Sequence, residues 1–213
     1  KKNKTHTTDL AVDFGRKVRN LIATETYQDI FPTVALAVDS KSAGRWNTNS
    51  GGEYYACGIG SSIAGRGADL LLVDDPHSEQ DVINGNFEVF EKAYDWFTFG
   101  ARTRLMPGGR VAIIQTRWHM DDLTGRVTKD MVNNDKSDQY EVVEFPAIMD
   151  GEDKKTKEII QKPLWPEFFD MEALLRTKAS MPVFQWNAQY QQEPTAEEAA
   201  IVKREWWQMW KKA

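Results

Sequence analysis

The sequence predicts an α/β fold built around a mostly parallel sheet. Two runs, DLLLV at 69–73 and RVAIIQT at 110–116, are largely apolar, which is typical of strands buried on both faces of a parallel sheet. Segments in which apolar residues recur at helical spacing lie before, between and after these runs, as in α/β proteins. The length of 213 residues and a hydrophobic share of 41% are sufficient for a buried core.

The N-terminal region predicts a helix over residues 8–23, capped by Thr8 or Asp9. Its apolar residues recur every three or four positions: they are Leu10, Phe14, Val18, Leu21 and Ile22. Short apolar or alternating runs follow at 34–38 and 53–60, ahead of the strand at 69–73.

Between the two apolar strands, residues 79–105 predict one long helix, which the sequence Pro-Gly-Gly at 107–109 ends. Four aromatic residues form its apolar stripe: Phe87, Phe90, Tyr94 and Phe97. The remaining elements are a helix that begins near Asp121 or Asp122, an alternating strand at 140–145, a solvated polar loop at 150–162 and two helices near 170–190.

Composition and charge exclude several classes of protein. No run of about 18 apolar residues is present, so no membrane span is predicted. The single cysteine, Cys57, fits a reducing compartment and a buried apolar role. The net charge of -5 excludes a chain-wide electrostatic grip on nucleic acid, although bases outnumber acids over 1–22 and acids dominate 69–95.

Two carboxylates, Asp74 and Asp75, directly follow the first apolar strand. In open parallel sheets ligands bind outside the carboxyl ends of the strands. An acidic pair after a hydrophobic strand is the Walker B pattern, in which the first acid serves Mg²⁺ and the second polarises the attacking water. A strand that simply runs into an Asp-Pro turn is the equally open alternative.

The second apolar strand leads into Thr116 and Arg117, followed by Trp118 and His119. If the two strands are parallel neighbours, these residues emerge at the same sheet edge as the acid pair. A hydroxyl and a guanidinium at that edge can sense and stabilise phosphate charge. An ordinary turn after a strand is the alternative.

The segment 60–67 has the glycine spacing of a phosphate loop, but Arg66-Gly67 stands where Lys-Ser/Thr is required. It also leads into a strand rather than a helix, so it is not a Walker A motif. Arg66, flanked by glycines, remains a candidate arginine finger. An arginine in a glycine-rich turn is the plain alternative.

Two further features admit a different chemistry. His77 and His119 follow the two strand ends and, with the nearby aspartates, could form the metal cluster of a phosphoesterase.

The tail at 201–213 mixes tryptophans and bases, which suits either stacking on nucleic acid or packing against a neighbouring domain.

The chain resembles the large terminase subunit of tailed bacteriophages, an ATPase and nuclease that packages DNA into procapsids. Matching segments run in the same order along most of the chain. They include RTRLMPGGRVAIIQTRWHMDDLTGR at 102–126 and WNAQYQQEPTAEE at 186–198. The most specific combination is GRGADLLLVDDPHSEQD at 65–81 with TRWHMDDLTGR at 116–126.

The resemblance implies a three-layer P-loop NTPase fold of the ASCE type, with ATP and Mg²⁺ as ligands. On its pattern Asp74 holds Mg²⁺ and Asp75 activates the water. Many family members carry Glu at the position of Asp75, which has a shorter reach, so Glu79 is the substitute candidate. Thr116 and Arg117 look like part of the motif that couples hydrolysis to movement. Arg66 falls where an arginine finger acting on the next subunit is expected.

The resemblance also implies an incomplete motor. The family's Walker A loop would precede Lys1, and its RNase H-like nuclease would follow Ala213, so the expectation is that these residues alone hydrolyse no ATP. The expected domains are a partial ATPase core over 1–148 and a small helical linker subdomain over 149–213.

The implied partners are double-stranded DNA, the portal protein, the small terminase subunit and further copies in a ring, without a membrane. The implied location is the host cytoplasm, at the procapsid portal. Two other hypotheses stay open: an assembly or DNA-contact module that uses 1–22 and the tail, and the histidine-dependent phosphoesterase.

Overall fold

The computed structural model describes residues 6–40, 42–83, 87–152 and 156–195. It confirms a mixed α/β fold, but the described strands form three separate two-stranded sheets, one parallel and two antiparallel, instead of the mostly parallel sheet that the sequence predicts. The chain divides into two compact units: Lys1–Pro76 with Lys92–Ile114, and His77–Glu91 with Gln115–Ala213. Among the described helices, none combines the length and the apolar character that crossing a membrane would take.

The first unit begins with helices α1 (His6–Ile22) and α2 (Glu25–Ile30) and the antiparallel strands β1 (Arg45–Asn47) and β2 (Glu53–Tyr55). The predicted first helix is therefore confirmed. It is tied to the hairpin by side chains that bond its backbone: Trp46 Nε1 donates to the Gly15 carbonyl at 3.0 Å, and the Tyr54 hydroxyl donates to the Ala11 carbonyl at 2.8 Å.

The apolar residues of α1, which were predicted to be buried as one stripe, are half exposed instead. Ile22 is buried, whereas the other four side chains are 40–56% exposed: Leu10, Phe14, Val18 and Leu21. The helix turns a different face to the hairpin because the close approach needs Gly15, whose missing side chain leaves room for the Tyr54 ring and the Ala43 carbonyl.

The parallel pairing of the two apolar strands is confirmed. Strand β3 (Ala68–Asp74) pairs with β4 (Leu105–Ile114), in a register that sets Asp74 beside Ile114. The sequence Pro-Gly-Gly at 107–109 lies inside β4 rather than ahead of it, with an irregularity in pairing near Ala68. Leu70 and Leu72 are 62% and 57% exposed, so β3 is not buried on both faces.

The connection between these strands is not one long helix. It contains α3 (Glu79–Ile83), α4 (Glu88–Asp95), a π-helical turn (Trp96–Ala101) and a 3₁₀ turn (Arg102–Arg104). Of the predicted aromatic stripe, Phe90 and Phe97 are buried but Phe87 is 51% exposed. A π turn rotates later residues away from the α-helical face, so one stripe cannot serve the whole segment.

The second unit contains α5 (Leu123–Asn133), the antiparallel strands β5 (Ile148–Glu152) and β6 (Ile159–Pro163), α6 (Met171–Ala179) and α7 (Val183–Gln189). A small core joins the hairpin to the last two helices through Ile148, Leu174 and Trp186. The three predicted helices are confirmed.

Two predictions in this region are wrong. Residues 140–145 form no strand, and the expected polar loop over 150–162 contains most of the β5–β6 hairpin. Alternating residues form a strand only where a partner supplies hydrogen bonds, and here the N–H of Phe145 donates to the side chain of Gln192 at 3.3 Å instead.

Candidate functional site

The acid pair lies at the carboxyl end of the parallel strands. Asp74 is the last residue of β3, and the N–H of Asp75 donates to the Ile114 carbonyl at 2.9 Å, which continues the ladder by one bond. Asp75 is exposed and has a φ of 41°, in the left-handed region that few residues other than glycine adopt. The backbone therefore turns sharply at the residue predicted to activate water.

The electrostatics of Asp74 suit a cation. Burial raises the pKa of its carboxyl, and the neighbouring Asp75 carboxylate raises it further. A positive ion would relieve both effects, since it favours the charged form. Within the described ranges no group of three or more His, Cys, Asp or Glu side chains could hold a metal, so Mg²⁺ here would take one or two carboxylates and keep several waters.

Arg66 also lies in the first unit, in the loop between β2 and β3. Its Nη1 donates to Glu53 Oε1 at 2.5 Å, and its Cζ stands 4.1 Å from the centre of the Tyr55 ring. Arg45 Nε donates to the same Glu53 oxygen at 2.8 Å. Burial raises the pKa of the nearby Cys57 thiol, an effect that the Arg66 charge opposes.

Thr116 and Arg117 belong to the second unit. Arg117 Nε donates to both oxygens of Asp122, at 2.9 and 3.1 Å, and its side chain is only 15% exposed. Asp122 is fully buried and is the N-cap of α5, where it accepts the N–H of Gly125 at 2.9 Å. The N–H groups of Trp118 and His119 donate to Asp122 as well, at 3.0 and 3.3 Å.

This arrangement gives Arg117 a defined local role. A buried carboxylate that receives a guanidinium and three backbone N–H groups fixes the segment after β4 against the start of α5. Arg117 therefore binds Asp122. To bind a phosphate as well, it would have to use the N–H donors of its guanidinium that are not bonded to Asp122.

The histidines are held by the second unit's own structure. His77 is 5% exposed, and its Nε2 accepts the N–H of Leu123 at 2.9 Å. Its ring meets Phe90 edge-on at 4.8 Å, and the His119 ring stacks on Phe90 at 5.3 Å. Nε2 of His77 is thus committed to a backbone donor, which favours a structural role over the phosphoesterase hypothesis.

The structure brings together partners that the sequence did not pair. Arg66 meets Glu53 and Tyr55, and Arg117 meets Asp122. The role of Asp122 could have been predicted, because an Asp directly before a helical run is a typical N-cap. The roles of Glu53 and Tyr55 could not, since nothing in the local sequence relates β2 to a loop residue more than ten positions away.

Two other predicted features can be placed only in part. Glu79, the substitute for Asp75, is exposed at the first position of α3. In the basic segment 1–22, Arg16 and Lys17 both pair with Asp13, which neutralises part of its charge. Residues 1–5 and the tail at 201–213 lie outside the described residues.

Neither the protein-family models nor the curated proteins searched give a match for this chain.

Proposed function

We propose that this chain is part of an ATP-hydrolysing motor that packages viral DNA, the large terminase subunit. The observation that carries the proposal is the position of Asp74 and Asp75. They follow a strand that pairs in parallel with its neighbour, at the edge where such sheets bind ligands. The finer fold proposed is the three-layer ASCE type of P-loop NTPase.

Each residue then has a defined task. Asp74 would hold Mg²⁺, which would offset the charge of the phosphates, and Asp75 or Glu79 would orient the water that attacks the γ-phosphate. Arg66 stabilises the charge that develops on an ATP bound by the next subunit. Thr116 and Arg117 report the state of the nucleotide to the rest of the motor.

The proposed partners follow from that task. They are double-stranded DNA, the portal protein, the small terminase subunit and further copies of the same subunit arranged in a ring. The proposed place of action is the portal of the procapsid in the host cytoplasm.

The test is ATP turnover by the complete gene product that contains these residues, with Mg²⁺ and double-stranded DNA. Asp75→Asn is the informative variant because Asn tolerates a positive φ and removes only the charge. If Asp75 activates the water, kcat falls by roughly 10²–10⁴. A fall of that size in Glu79→Gln instead would assign the task to Glu79.

Asp69→Asn is the matched control. Asp69 is an exposed aspartate near the other end of the same strand, so its loss of charge is equal but remote from the predicted catalytic edge. Turnover that survives both Asp75→Asn and Glu79→Gln, or wild-type protein that hydrolyses no ATP with DNA present, would sink the proposal.

A further inference from the structure

The Arg66 side chain is fixed by two residues of a single strand. Glu53 and Tyr55 are the first and last residues of β2, and since alternate residues of a strand share a face, they lie on the same side of it. Glu53 accepts from Arg66 at 2.5 Å, and Tyr55 presents its ring to the guanidinium at 4.1 Å. The Arg66 side chain keeps 30% of its surface exposed.

These contacts fix the orientation of the guanidinium plane of Arg66 and leave part of the side chain exposed. A guanidinium carries five N–H donors in one rigid plane, and the bond to Glu53 uses one of them. Stacking on Tyr55 sets the tilt of the plane. Glu53 is itself held by Arg45 at 2.8 Å, so its carboxylate is not free to follow Arg66.

The backbone around Arg66 cannot supply this order. Gly65 has a φ of 76°, and a side chain at Gly67 would meet the Met106 sulfur at 2.8 Å. Glycines at both positions permit the turn and the close approach, but they have no side chains with which to orient Arg66. The contacts with Glu53 and Tyr55 therefore position the guanidinium of Arg66. Little conformational entropy is lost, because the tyrosine ring is rigid and the guanidinium is planar.

We propose that Glu53 and Tyr55 are positioning residues for Arg66, which present its remaining N–H donors to the phosphates of an ATP bound by a second copy of the chain. The proposal rests on the proposed function, of which it defines one step. Phosphate oxygens suit a pre-oriented guanidinium because two parallel N–H donors can bind them together.

The experiment compares ATP turnover by the complete gene product and five variants, with DNA and Mg²⁺. Tyr55→Leu removes the ring and Tyr55→Phe keeps it; Glu53→Gln removes the charge, and Glu25→Gln removes an equal charge at an exposed site on α2. We expect Tyr55→Leu and Glu53→Gln to lower kcat roughly fivefold, as for one exposed contact, with KM for ATP unchanged.

Tyr55→Phe and Glu25→Gln should keep the wild-type kcat. Arg66→Ala should give the largest decrease in kcat, because loss of an arginine finger lowers kcat by a factor of about 10³ or more. Tyr55 is 38% exposed and the Glu53 side chain 35% exposed, so both variants should fold; if Tyr55→Leu does not, Glu53→Gln carries the test by itself.

The outcomes separate the two proposals. Wild-type protein without ATP turnover overturns the proposed function and this step with it. An active wild type whose kcat is unchanged in Glu53→Gln and Tyr55→Leu overturns the positioning role alone. A rise in KM with constant kcat, or an equal loss in Tyr55→Phe, also contradicts it, because the contact would then serve binding or depend on the hydroxyl.

Discussion

His77 lies in the second unit with its ring packed against Phe90 and its Nε2 bonded to the N–H of Leu123. Burial lowers the pKa of His77 to about 4, against the opposing effect of the Asp122 and Asp81 carboxylates. The hydrogen bond from Leu123 is consistent with the neutral ring that burial favours, because a protonated Nε2 could no longer accept. His77 therefore contributes most to stability while it is uncharged.

Replacing His77 tests this contribution. Because its pKa is depressed in the folded state, the stabilisation is complete above pH 6.5 and is lost as the pH falls from 6.5 towards 4. Wild-type protein should lose roughly 3 kcal/mol of unfolding free energy across that interval through this residue. His77→Gln, which keeps an acceptor but not the titration, should show a shallower dependence in urea unfolding at pH 7 and 4.5.

His119→Gln is the control for the same measurement. It also removes an imidazole that packs on Phe90, but one whose side chain is 37% exposed. If His77→Gln unfolds with the wild-type pH dependence, the buried histidine is not the cause.

At the scale of single elements, the start of α5 packs closely against the segment that precedes it. A side chain at Gly125 would place its Cβ 1.9 Å from the Met120 carbonyl oxygen, while the N–H of Gly125 caps the helix through Asp122. The segment after β4 and the first turn of α5 can be this close only because position 125 has no side chain.

Gly125→Ala should therefore be destabilising, although alanine is the better helix former. We expect a loss of roughly 2–4 kcal/mol in unfolding free energy, because backbone rather than a flexible side chain must move. Gly100→Ala is the comparison: its nearest neighbours are Trp96 side-chain atoms at 3.8 Å, so it should be neutral or stabilising by up to about 1 kcal/mol. Equal effects of the two changes, measured by denaturant unfolding, would contradict the packing argument.

The elements also show what the sequence could and could not predict. The apolar runs 69–73 and 110–116 pair in parallel as predicted, and the acid pair follows at the predicted edge, because strand hydrophobicity and strand ends are local signals. The helix at Asp122 was predictable for the same reason, through its cap.

The failures involve contacts between distant residues. Residues 140–145 alternate like a strand but have no strand partner, whereas Ile148–Glu152 finds one in Ile159–Pro163 despite a polar, charged sequence between them. The partners of Arg66 come from β2, at a distance along the chain that no local pattern covers. Pairing of this kind depends on tertiary structure, not on propensity.

At the scale of the whole molecule, several large apolar side chains of the first unit are exposed. Leu70 and Leu72 on β3 are 62% and 57% exposed, and the residues of the α1 stripe, in the same unit, are half exposed. Exposed apolar side chains that lie together promote association and bind hydrophobic dyes.

The double change Leu70→Thr with Leu72→Thr should lower the binding of a hydrophobic fluorescent dye by the folded chain and raise its solubility. Because both side chains are exposed and Thr keeps β propensity, the unfolding free energy should change by no more than about 0.5 kcal/mol per site. Val73→Thr on the buried face is the counterpart; Val73 is 6% exposed, and burying a hydroxyl there should cost about 1–3 kcal/mol. Unchanged dye binding in the double variant would show that other surface is responsible.

The parallel pairing of β3 with β4 also affects how the chain is made. When β3 leaves the ribosome, its partner strand has not yet emerged, because the whole connection 75–104 must emerge first. At about 5–20 residues per second this leaves the nascent strand unpaired for a few seconds, with its leucines open to other chains. A chaperone at the exit tunnel would meet this strand before its own neighbour does.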